Sequence, residues 1–352
     1  MDFDSQNNLH QPSPQQPPGV PVVPQSPPQA GRKQVKKGSP WKIFWAVITT
    51  LSVLANVVLL FMLFAIIMVF ATGPRDVFTE EVIQAGPRHS KIAVIRLQGI
   101  IDSRQARDFR KQIKTAQKDP SVKALIIRTI SPGGTVSGSD RIHNEICKFR
   151  RETNKPVVAF MQGLAASGGY YTSVASDKII AEPTTITGSI GVMMGHFVLQ
   201  ELLEEKLGIK PVVIKSGERK DWPSMFEPVT EEQQQYFREK LIKPAYERFV
   251  SLVAQGRQPL LSPEKVRELA DGSIYHAAEA LDKKLIDKIG YIDDAIELAK
   301  SLAGIEKAHV IEYRRPFSFS AWLTSQTAGL LKIDRETLQE LAVPQLLYLW
   351  QF

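Results

Sequence analysis

The strongest constraint on this chain is a stretch without charged side chains, which runs from Ile43 to Pro74. Its centre, V-V-L-L-F-M-L-F-A-I-I-M-V-F-A from Val57, is apolar throughout. About 20 helical residues cross the hydrocarbon layer of a bilayer, whereas a soluble helix is not apolar on every face. A cleavable signal peptide has a shorter apolar region of roughly 7 to 15 residues. The stretch therefore predicts an uncleaved transmembrane anchor over residues 43–72.

The two flanks of this span differ in charge. Before it stand five basic residues, Arg32, Lys33, Lys36, Lys37 and Lys42, and close behind it only Arg75 and Arg88. The positive-inside rule then predicts a single-pass protein of the inner (cytoplasmic) membrane, with a cytoplasmic N-terminus and an extracytoplasmic folded part. Residues 1–40 are rich in Pro and Gln and are expected to be a disordered cytoplasmic tail, and residues 73–90 a linker.

Apolar segments that are typical of buried strands alternate with amphipathic segments after the span. K-I-A-V-I-R-L starts at Lys91, A-L-I-I-R-T-I at Ala124 and P-V-V-A-F-M at Pro156. Alternating strands and helices predict an α/β domain with a mostly parallel sheet, here over residues 91–316, followed by a C-terminal tail, 317–352. In such folds, sites form where strands end and loops lead into helices.

Composition argues against several classes of function. The net charge is +7, but the basic residues are not gathered into a stripe with aromatic residues, so no nucleic-acid partner is expected. The single cysteine, Cys147, allows no disulfide within the chain and is interpreted as a half-buried apolar residue. Neither a cofactor nor a metal is expected.

Two glycine pairs follow two successive strands: Gly133-Gly134 and Gly168-Gly169. Glycine lets a substrate carbonyl approach the backbone closely, and N–H groups aimed at one point form an oxyanion hole. Ser167 directly precedes the second pair, where a helix N-terminus also favours developing negative charge. This arrangement predicts that Ser167 is a nucleophile.

A serine nucleophile needs a base, and the residues leave two candidates open. Of the six histidines, His196 follows Ser167 at a distance from which the next strand could bring it back. A lysine amine that is partly shielded from water is the other kind of base. Lys220 stands beside Trp222 and Pro223, whose bulk could exclude water, while its charged neighbours Arg219 and Asp221 act on it in opposite directions.

Four motifs, S-P-G-G, A-A-S-G-G-Y-Y, T-G-S-I-G-V and S-G-E-R-K-D, follow in this order within the stretch from about Lys91 to Leu298. With them the chain closely resembles the signal peptide peptidases of the protease IV family, in their short membrane-anchored form. The resemblance implies a Clp protease/crotonase-like fold of stacked ββα units and a Ser-Lys dyad. Carried over by motif, it implies Ser167 as nucleophile, Lys220 as general base, Ser189 as the hydroxyl that orients the lysine, and Gly134 and Gly168 as oxyanion-hole donors. The Pro/Gln-rich tail and D-W-P-S-M-F after the lysine depart from the family pattern.

The resemblance also implies a serine endopeptidase that degrades cleaved signal peptides and other apolar peptides, with pockets for small or apolar side chains. It implies a homo-oligomer in which neighbouring subunits share active sites, so that a monomer is inactive. Two alternatives remain: a Ser-His-Asp peptidase that uses His196, and a catalytically inactive membrane scaffold. The apolar segment V-P-Q-L-L-Y-L-W-Q-F, residues 343–352, either packs on the domain or lies as a strand in the substrate groove.

Overall fold

The computed structural model describes residues 39–71, 78–315 and 346–350. The first of these ranges is one long helix, α1 (Pro40–Ala71), which starts with a proline that has no N–H to leave unpaired. Over Pro40–Met68 its mean hydropathy reaches 2.7 and none of it is buried, so by length and composition α1 could cross a membrane. The predicted disordered tail lies almost entirely outside the described residues, apart from its last two positions.

The chain divides into a unit that ends at Met68 and a second unit from Val69 onward. The second unit contains twelve described strands: β1 (Thr79–Gln84), β2 (Lys91–Gln98), β3 (Val122–Ser131), β4 (Gly133–Thr135), β5 (Val157–Ala166), β6 (Lys178–Ala181), β7 (Ile186–Gly188), β8 (Met193–Met194), β9 (Ile274–His276), β10 (Lys288–Ile289), β11 (His309–Arg314) and β12 (Leu346–Leu349). The main sheet has the order β1-β11-β2-β3-β5-β6-β10, with β7 paired to the end of β5 and β9 to β7. From β11 to β10 all neighbours are parallel.

Eight helices of the second unit are described: α2 (Ser103–Lys118), α3 (Val136–Thr153), α4 (Gly168–Ser173), α5 (Glu231–Phe237), α6 (Lys243–Gly256), α7 (Pro263–Leu269), α8 (Ala277–Asp282) and α9 (Ile292–Ala303). A wide helical turn, Arg238–Ile242, joins α5 to α6. It lies directly before Pro244, which has no N–H for a regular helical hydrogen bond. The helical segment from Glu231 to Gly256 is therefore continuous but irregular.

Helices cover both faces of the main sheet. On one face, Phe109 and Ile113 of α2 and Phe149 of α3 pack with strand residues such as Ile95. On the other face, α9 packs against the alternate residues of β2, β3 and β5. Strands buried on both faces explain the apolar runs in the sequence. The prediction of an α/β fold with a mostly parallel sheet and one preceding apolar helix is confirmed.

The structure differs from the expected boundaries at the start of the domain. β1 lies within residues 73–90, the expected linker, and pairs antiparallel with β11. All six β1 residues are exposed, so T-E-E-V-I-Q lacks the apolar pattern that indicates a buried strand. The expected C-terminal tail is described only at residues 346–350, where β12 lies between β4 and β8 in a separate three-stranded sheet.

Candidate active site

Ser167 lies where β5 ends and α4 begins. Its backbone has φ 52° and ψ −114°, a conformation that residues other than glycine rarely adopt. The peptide is held in this sharp turn because Ser167 N–H donates to the Gly188 carbonyl at 2.8 Å, and Tyr171 N–H donates to the Ser167 carbonyl at 2.8 Å. The Ser167 hydroxyl does not cap the helix, so it is not used for holding α4. A strained serine at a strand-to-helix turn is typical of nucleophiles.

The two glycine turns meet beside this serine. A Cβ placed on Gly133, whose φ is 102°, would lie 2.7 Å from the Gly168 nitrogen and 1.9 Å from the Tyr348 carbonyl oxygen. A Cβ on Gly168 would lie 3.1 Å from the same oxygen. The absence of side chains thus lets the Tyr348 carbonyl of β12 enter between the two turns.

The hydrogen bonds distinguish the two glycines of the first turn. Gly133 N–H donates to Ser131 Oγ at 3.0 Å, so this donor is already engaged. Gly134 lies opposite Tyr348 in the β4–β12 register. This pattern favours the N–H of Gly134, rather than that of Gly133, as a hydrogen-bond donor to the oxyanion.

Ser189 directly follows β7, the strand that pairs with the end of β5 before Ser167. Gly188, which accepts the Ser167 N–H, directly precedes it. Ser189 is buried, has φ 49° and donates its N–H to the Ser273 carbonyl at 2.7 Å. The hydrogen bond from Ser167 N–H to Gly188 therefore places Ser189, the expected orienting residue, beside the turn that carries the expected nucleophile.

Lys220, in contrast, is exposed in a short helical turn, Glu218–Asp221. Its amine has no hydrogen bond or ion pair within the described part of this chain. Both charged neighbours have partners, since Asp221 pairs with Lys215 at 2.8 Å and Arg219 with Glu232 at 3.4 Å. Trp222 packs against Tyr236 at 5.7 Å rather than over the lysine amine. Ser167 is buried whereas Lys220 is exposed, and within the described part of the chain no hydrogen bond joins the two side chains.

The ring of His196 is also directed elsewhere. Its Nε2 lies 2.9 Å from the Ser224 carbonyl oxygen, which can only accept, so Nε2 carries the proton and donates. This bond ties His196 to the same segment that carries Lys220. The contact disfavours His196 as the base of Ser167.

The side chain of Tyr348 fills a closed pocket behind the glycine turns. It is fully buried, stacks on Tyr171 with ring centroids 4.8 Å apart and lies 4.8 Å from the ring of Phe249. Its hydroxyl donates to the Ala245 carbonyl at 2.8 Å. The pocket accommodates a tyrosine, which is larger than the small or plain apolar side chains expected from the sequence.

A polar network fixes the wall of this pocket. Tyr171 Oη donates to Asp140 Oδ1 at 2.7 Å, and Arg248 donates to the same oxygen at 2.6 and 2.8 Å. Burial and the hydrogen bond to Asp140 together raise the pKa of Tyr171, so its hydroxyl stays protonated. His143 packs edge-on against Tyr171, and burial lowers its pKa to about 4. No local sequence signal singles out these residues, although Tyr171 belongs to the A-A-S-G-G-Y-Y motif.

An open cleft among the described residues lies away from β12 and the glycine turns. It has a volume of about 580 Å³ and is lined by Cys147, Arg150, Arg151, Asn154, Lys155, Pro156, Asp177 and Leu302. In this cleft, the Arg150 guanidinium donates a hydrogen bond to the Ala175 carbonyl at 2.7 Å. Among the described residues, no group of three or more His, Cys, Asp or Glu side chains is arranged to hold a metal ion.

Comparison with known proteins identifies the family. Residues 149–306 match the model of peptidase family S49. The putative signal peptide peptidase SppA of Enterococcus faecium is 36% identical over 73% of this chain and 79% of its own length. Protease 4 of Salmonella typhi is 34% identical over 65% of this chain, which spans only 36% of that protein. Among solved structures, ClpP1 from Listeria monocytogenes aligns over 58% of this chain and 94% of its own with 18% identity and a TM-score of 0.37. The chain belongs to peptidase family S49, with relatives named signal peptide peptidase SppA and Protease 4.

Proposed function

We propose that this peptidase is a serine endopeptidase that binds its substrate as an extended strand between β4 and β8 and cleaves it at Ser167. The observation that carries the proposal is β12, which lies antiparallel to both strands. Its Tyr348 carbonyl enters between Gly133 and Gly168, next to Ser167. A peptide bound in the same way gains main-chain hydrogen bonds on both sides and presents one carbonyl to the serine.

The proposed reaction is acyl transfer in two steps. Ser167 Oγ attacks the carbonyl carbon while its proton passes to the neutral amine of Lys220, which Ser189 orients. The carbonyl electrons move to the oxygen, where the N–H groups of Gly134 and Gly168 stabilise the negative charge. Lys220 then protonates the leaving amine as the C–N bond breaks. Water hydrolyses the resulting ester, with the lysine again taking and returning the proton.

We propose further that Lys220 reaches Ser167 from a second copy of the chain in a homo-oligomer. Two observations support this. Lys220 is exposed, and its immediate neighbours are paired with other residues. The segment before it exposes large apolar side chains, among them Phe197 at 69%, Val212 at 84% and Ile214 at 96%. Several large apolar side chains exposed in one segment are typical of protein interfaces.

The proposed cellular role combines the anchor with the groove. Helix α1 is proposed as a single-pass anchor in the cytoplasmic membrane, with residues 1–40 in the cytoplasm and the peptidase domain, residues 91–316, outside it. Peptides left in the bilayer after signal-peptide cleavage are rich in apolar residues, and a short isolated helix is only marginally stable once it leaves the lipid. The groove between β4 and β8 suits such chains, and the name of the Enterococcus relative agrees with this role.

The full-length protein tests the chemistry directly. We expect Ser167→Ala and Lys220→Ala to abolish cleavage of an unstructured apolar peptide, and His196→Ala to retain it. A serine-directed phosphonate should label wild type at Ser167. An active Lys220→Ala protein would exclude the dyad, whereas loss of activity only in His196→Ala would favour a histidine base. If phosphonate labels nothing and Ser167→Ala leaves the cellular phenotype unchanged, the scaffold alternative is correct.

A further inference from the structure

The hydroxyl of Ser139 has no hydrogen-bond partner within the described part of the chain, although the residue is fully buried. It lies in the first turns of α3, where the preceding Thr135 already caps the helix by accepting the Gly138 N–H at 3.1 Å. Most buried polar side chains have a partner, because burial removes the hydrogen bonds that water would provide. The unpaired hydroxyl of Ser139 therefore needs a functional explanation.

The location of this hydroxyl supplies one. A Cβ placed on Gly168 would lie 2.5 Å from Ser139 Oγ and 3.1 Å from the Tyr348 carbonyl oxygen. The hydroxyl, the glycine and the carbonyl of the bound strand thus surround the same small space. Ser139 Oγ also occupies the volume that any side chain at position 168 would need.

We propose that Ser139 Oγ–H is a third hydrogen-bond donor to the oxyanion, alongside the N–H groups of Gly134 and Gly168. This proposal rests on the proposed function of Ser167. When Ser167 Oγ bonds to the carbonyl carbon, the oxygen becomes an anion and a much stronger acceptor. In this structure Ser139 Oγ makes no hydrogen bond to the Tyr348 carbonyl oxygen. The proposed bond therefore forms only as the carbon becomes tetrahedral and its oxygen moves, when the Ser139 O–H turns toward it with no existing hydrogen bond to break. Its contribution is therefore larger in the transition state than in the bound substrate.

Steady-state kinetics of full-length Ser139→Ala test the proposal. Loss of one oxyanion donor commonly lowers kcat by about 10²- to 10³-fold, and a hydroxyl that must rotate should contribute less, about 10- to 100-fold, with KM nearly unchanged. Affinity for a peptide boronate, which forms a tetrahedral adduct with Ser167, should fall in proportion to kcat/KM. Affinity for the intact peptide, measured in the Ser167→Ala background, should not change.

Ser90→Ala is the matched control. Ser90 Oγ is also buried without a partner, but Ser90 precedes β2 at the opposite end of the sheet from the site. Ser139→Cys keeps the shape with a weaker donor and should give an intermediate kcat, which also covers the case in which Ser139→Ala fails to fold. Equal effects of Ser139→Ala and Ser90→Ala, or equal losses of peptide and boronate affinity, would overturn the proposal. Activity in Ser167→Ala would instead overturn the proposed function itself.

Discussion

Replacing Tyr348 should activate the peptidase if β12 blocks its groove. In Tyr348→Ala, a fully buried ring that contacts two aromatic residues is lost, together with the hydrogen bond to Ala245. Truncation of a buried aromatic residue costs about 3–5 kcal/mol. With a tenfold change for every 1.4 kcal/mol, docking of the strand should weaken by about 10²- to 10⁴-fold. Tyr348→Phe removes only the hydrogen bond, about 1 kcal/mol, and should weaken docking by about fivefold.

The assay is kcat/KM for an unstructured fluorogenic peptide, measured in parallel with the rate of phosphonate labelling at Ser167. Both rates should rise in the order wild type, Tyr348→Phe, Tyr348→Ala, and the last should match a deletion of residues 346–352. Leu349→Ala is the matched control in the same strand, because Leu349 is only half-buried and alternates to the other face. If the deletion and Tyr348→Ala both leave the two rates unchanged, β12 does not compete with substrate and the reasoning fails.

Three further predictions concern assembly, stability and pH. A one-to-one mixture of Ser167→Ala and Lys220→Ala proteins, assembled together, should regain activity at about a quarter of the sites if neighbours share them, and none if each chain supplies both residues. Asp287→Asn should destabilise the fold by about 3–5 kcal/mol in denaturant unfolding, because it leaves the buried Arg257 guanidinium, now paired at 2.9 Å, without its counter-charge. Burial lowers the pKa of His143 from 6.5 to about 4, so as the pH falls the unfolded chain binds the proton before the folded one does. The free energy of unfolding should therefore be highest above pH 6.5 and fall by about 3 kcal/mol as the pH drops toward 4. Unfolding curves of His143→Phe should lack this acid-sensitive component.

The central strands and the two glycine turns were predictable because their signals are local. A strand buried on both faces must be apolar on both, as the central residues A-L-I-I of β3 are, and a backbone with φ near 100° at Gly133 requires glycine. Ser167 could be singled out for the same reason, since its strained turn lies between small residues. These features depend on neighbours in the sequence and are visible without the fold.

Other features depend on contacts between distant residues. Tyr348 contacts Ala245 across 103 positions, and nothing in L-L-Y-L indicates which pair of strands accepts it. The bulk of Trp222 suggested a shielded Lys220, but the ring packs against Tyr236 and under the Arg219 guanidinium, 5.4 Å away. β1 is polar and exposed, so only its backbone pairing reveals it as a strand. Such pairings are decided by tertiary packing, which local patterns do not encode.

If peptides bind between β4 and β8 as proposed, the folding state of a target protein becomes a criterion for its cleavage. Because hydrogen bonds to both strands hold the bound chain, that chain must first give up its own helix or sheet hydrogen bonds over several residues. A segment whose local opening costs about 5 kcal/mol would present itself about 10³- to 10⁴-fold less often than a free peptide. Under the proposed binding mode, folded proteins would be spared without any recognition of their sequence, and fragments that have lost their fold would be the preferred targets.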